Sequence, residues 1–443
     1  MPASESLNAN SVSERGVKAR ATWEAAVYRK IGWRLIPLLI ICYTMAYLDR
    51  VNVGFAKMQM MSDLKLSDTI YGLGAGIFFI GYVLAEVPSN IILHRVGARR
   101  WIARIMVTWG LTSAAMVFVS SPTSFYVLRF LLGVAEAGFF PGIIYYLMNW
   151  YPTRRRGSVL AMFYLAAPFS AILGGPLSGA LLKTMVGIPP LSPWQWMFVI
   201  EAIPAIVLGI VVLCVLKDRI EDASWLQEDE KRFVRSQLSL EDGEKVHIPL
   251  RRVFGNKHVW HLSALLFTIV MAMNGVFFWM PTLITESGIK DPLMVGLLSA
   301  VPYLATVPAM LLIGRHSDKT NERRWHMFAL CIVGMVGFLL SIQWQHSTML
   351  LLCAMTLATM SVWAVLPLFW TVPTAVFQGV SAAAGIAMIN SLGVTAGFVA
   401  PYMVGVLRDV TGSTNAAMYV LAALWVVGGL LVVKLPADWV ARK

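Results

Sequence analysis

Charge is scarce in this chain. Asp, Glu, Lys and Arg make up only 14% of its 443 residues, against 58% hydrophobic, whereas soluble domains carry about a quarter. That balance excludes an ordinary soluble fold. Cysteine is scarce as well: Cys42, Cys214, Cys331 and Cys353 all stand within apolar runs. They read as packing residues, and neither a disulfide framework nor a metal site is indicated. H-E-x-x-H and G-x-x-x-x-G-K-[ST] are both absent, and the seven histidines fall mostly in loops or near the ends of apolar runs. A membrane enzyme would need a metal cluster, a nucleophile–base pair or a phosphate cradle, and none is offered. The polar segments are too short for a signalling domain. The first thirty residues show no short apolar core with a small-residue cleavage site, so they read as a cytoplasmic tail.

Long apolar blocks of about twenty residues dominate, each able to cross a hydrocarbon core roughly 30 Å thick. Twelve spans are predicted near 32–56, 69–93, 101–120, 124–147, 157–182, 195–216, 258–284, 292–314, 325–342, 348–370, 379–406 and 415–434. The fold class is an all-α polytopic membrane protein. The net charge of +12 is concentrated at 94–104, 154–156, 217–257 and 315–324, while 121–124, 183–194 and 343–347 hold almost no Lys or Arg. This is the positive-inside pattern, so the basic excess belongs to membrane topology and not to nucleic acid. Both termini are expected in the cytoplasm. The expected organisation is a tail (1–31), a six-helix bundle (32–216), a polar linker with a short amphipathic helix (217–257), a second six-helix bundle (258–434) and a tail (435–443).

The halves repeat. "NIILHRVGARR" (90–100) and "GRHSDKTNERR" (314–324) align, pairing His94 with Asp318, Arg95 with Lys319, Arg99 with Arg323 and Arg100 with Arg324. Repeated bundles with a site between them near the midplane are the architecture of secondary transporters. A continuous channel pore needs neither the repeat nor the titratable residues that follow.

The apolar run Leu35 to Leu48, fourteen residues, covers only about 21 Å. The helix must therefore continue through "DRVNVGFAKM", placing Asp49 and Arg50 inside the membrane. In span four, Arg129 and Glu136 stand seven residues apart, two turns on one face. Each such charge costs ~2.5–3.5 kcal/mol on insertion scales, which makes these four residues a functional hypothesis. Two further acids read as structural, Glu86 as a loop partner near Arg95 and Arg99, and Glu201 as a brace for span six. Spans seven to twelve have no charge in their cores and offer Asn274, Trp279, Ser361, Trp363, Trp370, Thr371 and Asn390. Asn274 is the repeat equivalent of Arg50. The expected chemistry is an anion bound with protons: a guanidinium matches a carboxylate, and a carboxylic acid in low dielectric can be loaded and unloaded with protons. Asp49 and Glu136 are each expected to pair with an arginine, and their protonation to free Arg50 and Arg129 for substrate.

The loop pattern Gly-x-x-x-Asp-Arg/Lys-x-x-x-Arg-Arg resembles the signature of the major facilitator superfamily. Its second copy (Gly314, Asp318, Lys319, Arg323, Arg324) fits, and its first departs, with Asn90 for Gly and His94 for Asp. "YLDRVNVGFA", "YGLGAGIFFIGYVLAEVPSNIILHRVGARRW", "RFLLGVAEAGFFPGIIYYLMNWYP" and "WQWMFVIEAIPA" are similar to the anion:cation symporter family within it. The resemblance implies two pseudo-symmetric bundles of six transmembrane helices, alternating access, a cytoplasmic gate at Arg95, Arg99, Arg100, Asp318, Lys319, Arg323 and Arg324, and proton symport. It implies coupling and carboxylate binding by Asp49, Arg50, Arg129 and Glu136, with Tyr47, Tyr82 and Asn390 contacting substrate; Asn274 and Trp370 join them on their own chemistry. No cofactor is implied, the proton motive force being the energy source. The expected setting is a monomer in a bacterial inner membrane. Span five has Pro168 where sugar-acid carriers place a Gln, which favours a smaller hydroxy-dicarboxylate such as tartrate, or an aromatic acid. "GGPLSGALL" (174–182) resembles an antiporter Gly-Pro motif and equally suits close helix packing.

Overall fold

The computed structural model describes residues 3–152, 165–239, 255–376 and 380–436 together with 155, 159, 162, 163 and 439, and side chains outside 3–19 and 374–384. The first half contains α1 (Ala3–Leu64), α2 (Asp68–Val96), α3 (Ala98–Ala114), α4 (Pro122–Glu136), α5 (Phe139–Met148), α6 (Ala166–Thr184) and α7 (Pro193–Val215). The connector carries α8 (Glu228–Ser239). The second half contains α9 (Lys257–Glu286), α10 (Pro292–Thr320), α11 (Arg324–Gln343), α12 (Thr348–Val376), α13 (Val380–Val394), α14 (Ala396–Thr411) and α15 (Asn415–Val433). Among the described residues eleven helical segments are long and apolar enough to cross a membrane. The fifth expected span lies partly outside the described residues; its remainder is α6, nineteen residues diluted by Gly, Ser and Pro.

The first helix is longer than the expected span at both ends. From Ala3 the segment expected as a tail is helical and continuous with the first span. Trp23 and Tyr28 pack edge-on against Phe233 of α8, at centroid distances of 5.1 and 5.9 Å. Lys30 pairs with Glu230 at 2.7 Å, so the amphipathic helix of the connector docks on α1. At its other end α1 passes residue 56 and continues to Leu64, which encloses Lys57 within the helix.

The halves meet where small residues let backbones touch. A Cβ on Gly175 of α6 would lie 2.6 Å from the carbonyl oxygen of Gly296 on α10, and one on Gly296 would meet the Gly175 carbonyl. Gly179 approaches Pro292 in the same way. This is the small-residue crossing familiar in membranes, and it accounts for the run 174–182 as packing.

The face opposite the termini is tied by charge. Lys57, 4% exposed, pairs with Asp68 at 2.7 Å. It also donates to Thr282 Oγ1 at 3.2 Å and lies 3.5 Å from the Trp279 ring centre. Arg408 of α14 pairs with Asp68 and with Glu286 of α9 at 2.8 Å, and Thr414 donates to Glu286 at 2.7 Å. Asp409 accepts from the backbone N–H of Asp68 and Thr69 at 3.1 and 2.7 Å, satisfying orphan donors at the start of α2.

Removing Asp68 strands the buried Lys57, whereas removing Arg408 leaves Lys57 paired. Asp68→Asn is therefore expected to destabilise the purified protein by about 3–5 kcal/mol and Arg408→Gln much less. Thermal unfolding in detergent checks this, and equal losses in the two variants would contradict it.

Candidate functional site

Asp49 and Arg50 are neighbours on α1 and so point about 100° apart. Asp49, 2% exposed, turns to α3. Its carboxylate accepts from Trp109 Nε1 at 2.7 Å and from Ser113 Oγ at 3.0 Å, and Asn52 Nδ2 stands 3.5 Å away. Arg50 turns the other way and pairs with Glu136, with its guanidinium carbon 5.0, 5.3 and 5.5 Å from the rings of Tyr47, Phe78 and Tyr82. The expected pairing of both carboxylates with arginines is thus half correct. Glu136 holds an arginine; Asp49 is held by an indole and a hydroxyl.

Glu136 owes its position to a break that a continuous fourth span would not show. α4 ends on Glu136, Gly138 adopts a left-handed conformation (φ +84°), and α5 starts at Phe139. A side chain at Gly138 would run into Ser89. Pro141 has no N–H to give the Ala137 carbonyl four residues back. Ser89 Oγ donates to that carbonyl instead, at 2.7 Å. The helix end thus presents Glu136 to α1 without leaving backbone unsatisfied.

Arg129 requires a correction. It is fully buried and donates from Nε and Nη2 to the Gly74 and Ala75 carbonyls of α2, both at 3.3 Å. It is not among the side chains that line the central cavity, and its guanidinium carbon lies 5.1 Å from the Phe78 ring. It ties α4 to α2 and places its positive charge behind the Arg50–Glu136 pair.

The remaining substrate candidates do come together. Tyr47, Arg50 and Tyr82 from the first half and Asn274, Trp370 and Asn390 from the second line one cavity of about 130 Å³. It lies between the halves, bounded by α1, α2, α5, α9, α12 and α13. Asn274 is 3% exposed and donates to Val270 O at 3.0 Å, which leaves its side-chain oxygen as an acceptor. Arg50 is the cationic side chain of this wall, and its Nε has no protein partner. With Glu136 on one edge of the guanidinium, an anion reaching Arg50 competes with that carboxylate for the same donors.

Sequence reasoning missed three residues. Glu86, read as a loop partner, instead lines the cavity; its place one turn after Tyr82 on the same face of α2 was the available signal. Tyr43, one turn before Tyr47, lines it too. Lys57 was passed over because the span was ended at 56, although "MQMM" beyond it is still apolar. Glu201 acts as the expected brace, accepting from Ser178 at 2.7 Å between α7 and α6.

The expected gate at the termini face is not closed across the halves. Arg99 donates within its own half, its backbone N–H to Asp218 at 2.8 Å and its Nε to Leu213 O at 2.6 Å. Arg323 stands 3.5 Å from Asp318 in the last turn of α10, within its own half, and His94 packs on Tyr145 with ring centres 4.1 Å apart. Among the described residues no ion pair joins Arg95, Arg99 or Arg100 to Asp318, Lys319, Arg323 or Arg324.

Comparison with known proteins agrees with this architecture. Residues 39–401 match the Major Facilitator Superfamily. A protein of Agrobacterium vitis named "Putative tartrate transporter" is 47% identical over 410 residues, covering 92% of this chain and 94% of that protein. One of Pseudomonas putida named "Putative metabolite transport protein NicT" is 43% identical over 444 residues, 100% of each chain. A crystal structure of a D-xylose-proton symporter shares the fold with a TM-score of 0.73 over 93% of this chain and 99% of that one, at 13% identity. The chain therefore belongs to the Major Facilitator Superfamily and is a multi-pass membrane transporter of a small molecule, not an enzyme.

Proposed function

We propose that this transporter is a proton symporter of the anion:cation type that takes up an organic carboxylate, with a hydroxy-dicarboxylate such as tartrate as the leading substrate. The observation that carries this reading is Arg50, paired with Glu136, on the wall of a cavity whose other polar side chains are tyrosines, asparagines, a tryptophan and Glu86. A planar guanidinium binds a carboxylate through two parallel hydrogen bonds. Here one carboxylate already occupies that role. Protonation of Glu136 ends its ionic hold on Arg50, and the substrate carboxylate takes its place. When the substrate leaves, Glu136 loses its proton and reclaims the arginine. Asp49 is a second proton site on the opposite side of α1, where its protonation alters the hydrogen bonds that seat α1 on α3.

The two-fold chemistry suits alternating access. The first half supplies the charged group, and the second supplies neutral hydrogen-bonding and aromatic faces that close over the bound anion. No cofactor enters this cycle; the proton gradient drives accumulation. The relative named for tartrate supports the hydroxy-dicarboxylate reading. The aromatic side chains of Tyr43, Phe140 and Trp370 on the cavity wall also favour an aromatic acid as the second reading. The functional unit in this proposal is a monomer in a bacterial inner membrane with both termini in the cytoplasm.

Reconstituted vesicles test the cycle. Uptake of labelled tartrate should rise as the outside is acidified and collapse with an uncoupler, and a panel with phthalate and hydroxyphenylacetate separates the two substrate readings. Glu136→Gln and Asp49→Asn should retain counterflow but lose pH-driven accumulation; full accumulation in both would sink the coupling assignment. Arg50→Lys keeps the charge but loses the fork, and is expected to raise KM about tenfold or more. An unchanged KM would remove Arg50 from the binding site.

A further inference from the structure

The cavity holds a second charged side chain that the cycle above does not use. Glu86 stands on α2 one turn beyond Tyr82, and both line the cavity. The Tyr82 ring is 5.5 Å from the Arg50 guanidinium carbon, and Glu86 is roughly 5.4 Å further along the same face of the helix. Arg50 is engaged by Glu136. Among the described residues the Glu86 carboxylate has neither a hydrogen bond nor an ion pair; only its backbone carbonyl is used, by Asn90 at 2.9 Å. The titratable groups that face this region are Tyr43, Tyr47 and Arg50 from α1, Tyr82 from α2 and, behind Arg50, Glu136 from α4. The cavity walls contributed by α9, α12 and α13 carry no ionisable side chain. A small molecule in the cavity therefore meets a cation at one end and an unpartnered carboxylate at the other.

Such a site constrains the charge of what it accepts. One carboxylate of the substrate is matched by Arg50. A second one turned toward Glu86 meets a like charge, and two carboxylates sharing a site cannot both ionise. We propose that Glu86 sets the charge form of the transported acid: a hydroxyl or amide donates to its carboxylate directly, whereas a second carboxyl group must share one proton with it. That proton is drawn from solution on binding, bridges the two carboxyl groups as O–H···O⁻, and returns to solution when the acid leaves. Glu86 is thus a specificity-determining residue, and a dicarboxylate binds with one proton more than its monoamide. This inference rests on the carboxylate reading of the cavity and refines it.

The test counts protons released or taken up when ligand is added to the purified full-length protein in weakly buffered detergent solution, followed with a pH indicator. Tartrate and tartrate monoamide are the probes. In the wild-type protein tartrate should take up about one proton more than the monoamide. Glu86→Gln should abolish that difference while still binding the monoamide, which shows that the variant is folded, and Glu86→Asp should keep the difference. Equal proton counts in the wild type, or a difference that survives Glu86→Gln, overturns the role of Glu86 and leaves the carboxylate reading standing. Failure of the wild type to bind either probe or any acid of the panel overturns the carboxylate reading, and the role of Glu86 with it.

Discussion

The structure is organised by the need to partner a few charges that the membrane would otherwise exclude. An uncompensated ion costs several kcal/mol to bury, and one partner is seldom enough to satisfy every donor and acceptor. Arg50 therefore brings Glu136 to α1, which fixes where α4 must end. Asp49 brings Trp109 and Ser113 of α3 to the other side of the same helix. Arg129 uses the carbonyls of α2. Three helices are thus bound to each other or to α1 by groups that none of them can satisfy alone. The ion pair at the cavity is the member of this set that a ligand can reach.

The second half is built on the opposite rule. Its face of the cavity holds Asn274, Trp370 and Asn390 with no ionisable group, so a movement of this half against the first would carry no uncompensated charge from that face through the hydrocarbon. Neutral hydrogen bonds and ring contacts can be broken and remade at modest expense. This division explains why the family's internal two-fold repeat does not extend to the chemistry: Asn274 occupies the position of Arg50, and a second arginine there would need a second acid.

Much of this was legible in the sequence because it follows from length and periodicity. Fourteen apolar residues before Asp49 cannot span a bilayer, so the charges had to lie inside it, and the paired basic loops disclosed the repeat. Direction within a helix was harder to read. Asp49 and Arg50 look like one site in a string, but about 100° of helical rotation separates their faces, and only packing decides which meets the cavity. Arg129 and Glu136 share a face and a helix by spacing, yet two turns apart they meet different neighbours: Arg129 the carbonyls of α2, and Glu136, in the last turn before Gly138, Arg50 of α1. The residues that mark that turn, Gly138 and Pro141, are common in membrane helices. Their meaning became clear only with Ser89, from a helix fifty residues earlier, filling the gap. Lys57 escaped because the first span was ended one residue before it, and Glu86 because the cavity it faces is formed by helices far away in sequence.

The ties on the face opposite the termini show how such a molecule can open without a large penalty. Lys57 and Asp68 both belong to the first half, and Arg408 and Glu286 both belong to the second. Among the described residues the links that cross include Asp68 to Arg408, Lys57 to Thr282 and Trp279, Asp409 to the start of α2, Lys183 to Asp291, and the Tyr71 hydroxyl to the Phe278 carbonyl. If the halves part along this plane, every one of the four charges keeps an opposite charge within its own half. Arg408 and Asp68, the ion pair that crosses, are 24% and 13% exposed, and on parting Arg408 falls back on Glu286 and Asp68 on Lys57. The buried Lys57 is the one that could not bear separation from its acid, and it is not asked to. Each of these charges has an opposite partner inside its own half, so parting the halves along the boundary through the cavity would leave none of the four without one.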